Sequence, residues 1–202
     1  MRRVDMSFKK WIAVVLLTVW APLSFAADSV ADPYKKIEQV TVELLDIIDA
    51  YRDSYPETEV LPYQFLHFGT QERFAGPAAT ISCHEDNSCV AEAVSSPGDG
   101  RVLIVDGQQS LRRSLLGDNL AKKAIHNQWA GIVVLGAIRD VEIIDTLSLG
   151  VFALGVVPVK TDKRGLGQRD VDLSLDGVSV VPGHWLYADR NGVLVASRPI
   201  HL

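Results

Sequence analysis

Cysteine is nearly absent from this chain. Cys83 and Cys89 are the only two, too few for a disulfide scaffold or a thiolate zinc set. The five histidines (His67, His84, His126, His184, His201) never recur at a spacing of two, three or four, so none forms a paired-ligand motif. No Gly-x-Ser-x-Gly elbow occurs and neither cysteine sits in a nucleophile motif, which removes covalent serine or thiol catalysis from consideration. There is no basic stripe, arginine-rich tract or aromatic ladder. Since phosphate neutralisation supplies most non-specific nucleic-acid affinity, nucleic acid is excluded as a partner. Gly165-Leu166-Gly167 lacks a third glycine and opens no helix, so it is not a dinucleotide fingerprint. Internal repeats and low-complexity segments are also missing.

The one long apolar run, residues 11–23, holds thirteen mostly apolar residues, too few to span a bilayer as a helix. It follows Arg2, Arg3, Lys9 and Lys10 and precedes Ser24-Phe25-Ala26, the small-residue pattern of a cleavage site. Residues 1–26 therefore read as a signal peptide, and the mature chain is expected to start at Ala27, exported to the periplasm with no stable membrane anchor. Its loss removes four basic side chains and one acidic one, so a net charge of −5 becomes −8. Residues 27–202 suit one domain. In an oxidising compartment, Cys83 and Cys89 have three readings: a local disulfide, two free structural thiols, or part of a metal site with His84.

Residues 117–140 carry the strongest functional pattern. Gly117-Asp118 reads as a helix start, with glycine freeing the turn and Asp118 as N-cap. Leu120, Ala121, Ala124, Ile125 and Trp129 recur near 3.6-residue spacing, which predicts a helix with Lys122, Lys123 and Asn127 outward. After Gly131, Ile132-Val133-Val134-Leu135 predicts a strand buried on both faces of a parallel or mixed sheet. That strand delivers Arg139 and Asp140 to its C-terminal end, where open α/β sheets place ligands. The residues alone leave two readings. Asp118 and Asp140 are helix caps, the second for a helix over 141–147, or they join Arg139 in a site for a small anion and a divalent cation.

Elsewhere, a helix is predicted over 34–52 and another over about 87–94, with buried strands over 78–83, 101–105 and 151–155, the last continuing to Val159. Residues 57–73 have no clear pattern, and 161–170 read as a charged loop. From Val171 the pattern turns antiparallel: alternation over 171–175, an Asp176-Gly177 hairpin, a return over 178–181, then strands over 185–188 and 193–195.

An Asp, twenty intervening residues and then Arg-Asp, met here by Asp118, Arg139 and Asp140, resembles the signature of the active aldolases in the family named for the regulator of ribonuclease E activity A. Val105-Asp106-Gly107, Gly117-Asp118-Asn119-Leu120-Ala121, Asn127-Gln128-Trp129-Ala130-Gly131 and Pro182-Gly183-His184-Trp185-Leu186-Tyr187-Ala188-Asp189 are similar to the same family, over about residues 74–195. The resemblance implies an α/β fold: a single domain of β/β/α layers of the swivelling-domain type, with a mixed sheet, flanking helices and a C-terminal antiparallel β section. It further implies a class II aldolase that cleaves 4-hydroxy-4-methyl-2-oxoglutarate and related 4-hydroxy-2-oxo acids to pyruvate and decarboxylates oxaloacetate. Asp140 would be the direct ligand of Mg²⁺ or Mn²⁺, and Arg139 and Asp118 the catalytic groups, Asp118 holding a metal-bound water. The N–H groups of Gly117, Asp118, Asn119 and Leu120 would bind the pyruvyl carboxylate. Members form trimers or hexamers, and some regulators in the family bind ribonuclease E without catalysis.

This chain departs from the family at three places. Gln108-Gln109 stand where further glycines are usual, and His184 where an acidic residue is common. No acidic residue follows Asp189 to match the glutamate that a neighbouring subunit contributes in some aldolases.

Overall fold

A computed structural model describes residues 55–200. The signal peptide expected over 1–26, the start at Ala27 and the helix expected over 34–52 lie outside the described residues.

Twelve strands and three helices follow in order among the described residues: β1 (Glu59–Val60), β2 (Leu66–Phe68), β3 (Phe74–Ser82), α1 (Ser88–Val94), β4 (Val102–Asp106), β5 (Ser114–Leu116), α2 (Asp118–His126), β6 (Gly131–Ile138), α3 (Val141–Ile144), β7 (Gly150–Val156), β8 (Gln168–Arg169), β9 (Leu173–Leu175), β10 (Val178–Val180), β11 (Trp185–Asp189) and β12 (Gly192–Ala196). The main sheet runs β1-β12-β11-β3-β4-β6-β7-β2. Its centre, β3-β4-β6-β7, is parallel, while β11, β12, β1 and β2 add antiparallel strands at the two sides.

β3 makes the sheet curl. Its first half, Phe74 to Pro77, pairs with β11, and its second half, Ala78 to Ser82, pairs with β4. Pro77, which has no N–H to donate, falls at the changeover. The strand therefore begins earlier than the 78–83 read from the sequence.

β6 is buried at every residue, as its unbroken apolar run predicts. Alternate side chains enter different layers. Ile132, Val134 and Ile138 pack with Val90, Leu120, Ala121 and Ala124 of the helical face. Val133 and Leu135 pack with Leu173, Val180, Leu186 and Val195 of the β face. One strand thus joins both cores, and the order of layers is β/β/α. The two-stranded β9–β10 sheet and the curled β11–β12 pair form the outer β layer, with Leu175 opposite Val178 across the Asp176-Gly177 turn.

The sequence reading needs several boundary corrections. α2 stops at His126 because Gln128 takes φ 59 in the left-handed region, so Trp129 is buried after the helix. The helix after Asp140 covers only four residues. Residues 57–73 contain β1 and β2, short edge strands whose hydrogen bonds go to distant partners rather than to a local pattern. The charged loop contains β8, which pairs with β3. Cys83 and Cys89 are both free and buried, and both flank Gly167. Of the three readings of the pair, the structure holds free structural thiols.

Candidate active site

Two parallel strand ends build the site. β5 takes up β6 beyond the point where β4 stops, with Ser114 opposite Ala137 and Leu116 opposite Ile138. The Arg139 N–H donates to the Leu116 carbonyl at 3.0 Å. The chain leaving β5 at Gly117 therefore runs beside the chain leaving β6 at Arg139 and Asp140. A side chain at 117 would displace the site groups: a Cβ there would lie 2.8 Å from Asp140 Oδ2 and 3.2 Å from Arg139 Nε. Gly117 has extended backbone (φ −138, ψ 177), so its absent side chain serves close approach and not the turn freedom inferred from the sequence.

Asp118 is the first residue of α2, and Gly117 is the N-cap, which corrects the capping role assigned to Asp118. The Asp118 carboxylate instead accepts from Lys122 Nζ at 2.7 Å, one turn along the helix. This Lys122 hydrogen bond, aided by Coulombic attraction and the Asn119 N–H, holds the Asp118 carboxyl below its ordinary value against partial burial. An interaction with the Asp140 side chain lowers it a little further. Arg139 Nε stands 3.4 Å from Asp140 Oδ2, with about a third of each side chain exposed (36% and 31%).

Asp140 occupies the N-cap position of α3 but makes no side-chain cap hydrogen bond, and its backbone is left-handed (φ 58, ψ 36). A cap would have extended backbone and an engaged carboxylate. Asp140 has neither, so its geometry does not fit capping. The N–H groups proposed as a carboxylate cradle need one amendment: Leu120 N–H donates to the Gly117 carbonyl at 3.0 Å, closing the first turn.

These groups adjoin a cleft of about 200 Å³, a size for a small metabolite. Gly117, Asp118, Asn119, Leu120 and Arg139 line one part of it; Asp140 touches the wall through Gly117 and Arg139. Asn87, Ser114, Lys160, Thr161 and Lys163 line the rest. None of those five was found from the sequence, because they come from the N-cap of α1, the start of β5 and the 160–163 segment and share no motif. The charged character of 161–170 was the only available signal.

The donor set was tested against the divalent ion that the resemblance implies. No group of three His, Cys, Asp or Glu side chains able to hold a metal exists among the described residues. The carboxylates of Asp118 and Asp140, brought together beside a cleft, offer hard oxygen donors at one place. That set fits Mg²⁺ or Mn²⁺, which keep most of their ligands as water and use one or two carboxylates. It does not fit a closed zinc site.

A profile of the RraA-like family (Aldolase/RraA) matches residues 44–195. A protein of Xanthomonas campestris, provisionally named 4-hydroxy-4-methyl-2-oxoglutarate aldolase, is 53% identical over 150 residues, covering 74% of this chain and 90% of its own. The RNA-processing inhibitor RraA of a Thermus species superimposes with a TM-score of 0.73 at 44% identity, over 76% of this chain and 93% of that one. A Geobacillus kaustophilus structure described as an S-adenosylmethionine:2-dimethylmenaquinone methyltransferase gives 0.72 at 42% identity, over 77% and 95%. The chain belongs to the RraA-like family and has its mixed α/β fold.

Proposed function

We propose that this protein is a divalent-metal-dependent aldolase. It cleaves 4-hydroxy-4-methyl-2-oxoglutarate-type 4-hydroxy-2-oxo acids to pyruvate and a second 2-oxo acid, and decarboxylates oxaloacetate. The observation that carries this reading is the convergence of Asp118 with Arg139 and Asp140, across twenty intervening residues, through the β5–β6 pairing. Relatives such as the Xanthomonas protein, provisionally named for that activity, support it.

Breaking the C3–C4 bond leaves its electron pair on a pyruvate enolate, while the 4-hydroxyl proton departs and the second fragment leaves as a ketone. Asp140 would hold the divalent cation, which would supply Lewis-acid charge for the enolate oxygen. Arg139 adds a second positive charge, fixed in place before the reaction. The N-terminal end of α2, with its positive dipole end, receives the substrate carboxylate. Asp118, kept ionised by Lys122, orients a water to accept the 4-hydroxyl proton.

Export and assembly as a homotrimer or hexamer complete the proposal. Leu111, Val156 and Val159, each close to half exposed (50%, 48% and 47%), support a subunit boundary near the site. A competing reading, a non-catalytic regulator or carboxylate-binding module, is favoured by the 44% identity to the Thermus inhibitor. A pyruvate-release assay on the purified chain with Mg²⁺, using oxaloacetate and 4-hydroxy-4-methyl-2-oxoglutarate, decides between them: release supports the aldolase, and silence with both substrates supports the binding module.

A further inference from the structure

The two cysteines take no part in the aldolase chemistry. Cys83 directly follows β3 and Cys89 lies in the first turn of α1, and both are buried and free. Gly167, with a φ of 115, is packed against both: a Cβ built on it would lie 2.9 Å from Cys83 Cβ and 3.2 Å from Cys89 Sγ. The two side chains therefore share one small space, and the backbone at 167 closes it.

Gly167 ends a strap, residues 160–167, that is held by the turn between the cysteines. The fully buried Asp86 carboxylate accepts from Arg164 N at 2.7 Å and Leu166 N at 3.3 Å, and from Ser88 N of its own turn at 2.8 Å. Ser88 Oγ accepts from Gly165 N at 3.1 Å, and the Cys89 thiol donates to the Leu166 carbonyl at 3.8 Å. The other end of the strap brings Lys160 and Lys163 to the cleft wall, with Lys160 bridged to Ser114. One turn, 83–89, thus carries both sulfurs and the groups that fix the strap.

We propose that Cys83 and Cys89 form a redox switch: the dithiol holds the strap closed, and the disulfide releases Arg164 to Gly167 and so loosens Lys163 at the cleft. A disulfide holds its two Cβ atoms about 4 Å apart with the sulfurs bonded between them. To reach that geometry, Cys89 Sγ leaves the Leu166 carbonyl and enters the space against which Gly167 packs, and the 83–89 turn that holds Asp86 is drawn in. The consequence for catalysis rests on the aldolase reading; the switch itself does not.

Oxidation needs an electron acceptor, and a small-molecule disulfide serves. Cys89 Sγ, as thiolate, attacks one carrier sulfur and expels the other, which takes up the Cys89 proton. Cys83 Sγ then attacks Cys89 Sγ, the mixed disulfide breaks, and the second carrier thiol leaves with the Cys83 proton. Two electrons pass from the cysteine pair to one carrier disulfide. Cys89 reacts first. Burial pushes the Cys83 thiol up to about 12; burial and Glu92 also raise Cys89, but the Arg169 charge offsets part of that. Both sulfurs are shielded until the strap opens, so exchange takes minutes to hours.

The test incubates the reduced protein with oxidised glutathione and follows free thiols, counted after unfolding, together with intact mass and hydrogen exchange at 164–166. The wild type should lose both thiols together and retain no glutathione. Exchange at 164–166 should then rise while β4 and β6 stay protected, and a reductant should reverse both changes. Asp86→Ala, which frees the strap, should bridge about tenfold faster or more. Cys83→Ala cannot bridge and should show no rise in exchange. Thiols that stay free in the wild type and Asp86→Ala alike would overturn the switch. So would retained glutathione, a bridge that leaves 164–166 protected, or a rise in exchange in Cys83→Ala. No readout involves turnover, so a silent pyruvate assay would sink the aldolase and leave the switch standing.

Discussion

Asp140 adopts a left-handed backbone (φ 58, ψ 36) that few side chains take without cost, and its carboxylate is placed beside Arg139 and Asp118 instead of on a helix end. Asparagine tolerates the same backbone, so Asp140→Asn separates charge from shape. The melting temperature should stay near wild type, within about 0.5 kcal/mol of stability, while Mg²⁺ affinity falls at least about tenfold. Arg139→Ala should lower turnover by about 10²–10³, the usual loss of a charge-stabilising partner, with metal affinity less affected. Lys122 acts one step back. It depresses the Asp118 pKa, so Asp118 stays ionised to lower pH than an ordinary carboxylate. Lys122→Met removes that hold, and the acid limb of the pH–rate profile should move to higher pH; an unmoved limb would remove Asp118 from the proton path. Gln108 and Gln109 show why the family's glycines matter here: both take positive φ (53 and 57). Left-handed backbone costs a residue with a side chain about 1–2 kcal/mol. Gln109→Gly should therefore raise stability by a fraction of that in a denaturant melt.

At the scale of elements, β6 and its approach to Arg139 were legible because an unbroken apolar run has one reading in a sheet covered on both faces. The Asp118, Arg139 and Asp140 set was legible as a spacing, while the β5–β6 pairing that brings them together was not. β5 is three residues long and has no pattern of its own. The segment from Lys160 to Leu166 was illegible for a related reason. Its shape depends on Asp86, about eighty residues earlier, and no local signal links the two. Burial disfavours the charge on Asp86, but the hydrogen bonds from Ser88, Arg164 and Leu166 outweigh it and hold the pKa below the ordinary value. A depressed folded pKa adds stability that is present above the unfolded value of about 3.9 and is lost as pH falls through the folded one. Hydrogen exchange at Arg164 and Leu166 should therefore rise below about pH 4 before the core opens. Asp86→Ala should free the same segment at neutral pH, at a cost of about 1–3 kcal/mol for donors left without a partner. Exchange at 164–166 that matched the core under both conditions would contradict this anchoring.

For the whole molecule, the β/β/α layering followed from the change of hydrophobic period near Val171 and from the family resemblance, and the two core clusters on opposite faces of β6 agree with it. The state of the two cysteines did not follow, since their spacing permits a bridge or free thiols. Burial pushes the Cys83 thiol up to about 12, which leaves almost no thiolate to react. A thiol reagent should find neither cysteine in the native protein and both after unfolding without reductant; finding none after unfolding would restore the bridge. The account as a whole depends on whether two strand ends and one arginine make a metal-dependent lyase. The most direct measurement is pyruvate release from 4-hydroxy-4-methyl-2-oxoglutarate across a Mg²⁺ titration, for the wild type and Asp140→Asn in parallel. The account predicts saturable, metal-dependent release by the wild type, abolished by chelator, and none above background from the folded variant. Equal release by both proteins, or release indifferent to Mg²⁺, would contradict it.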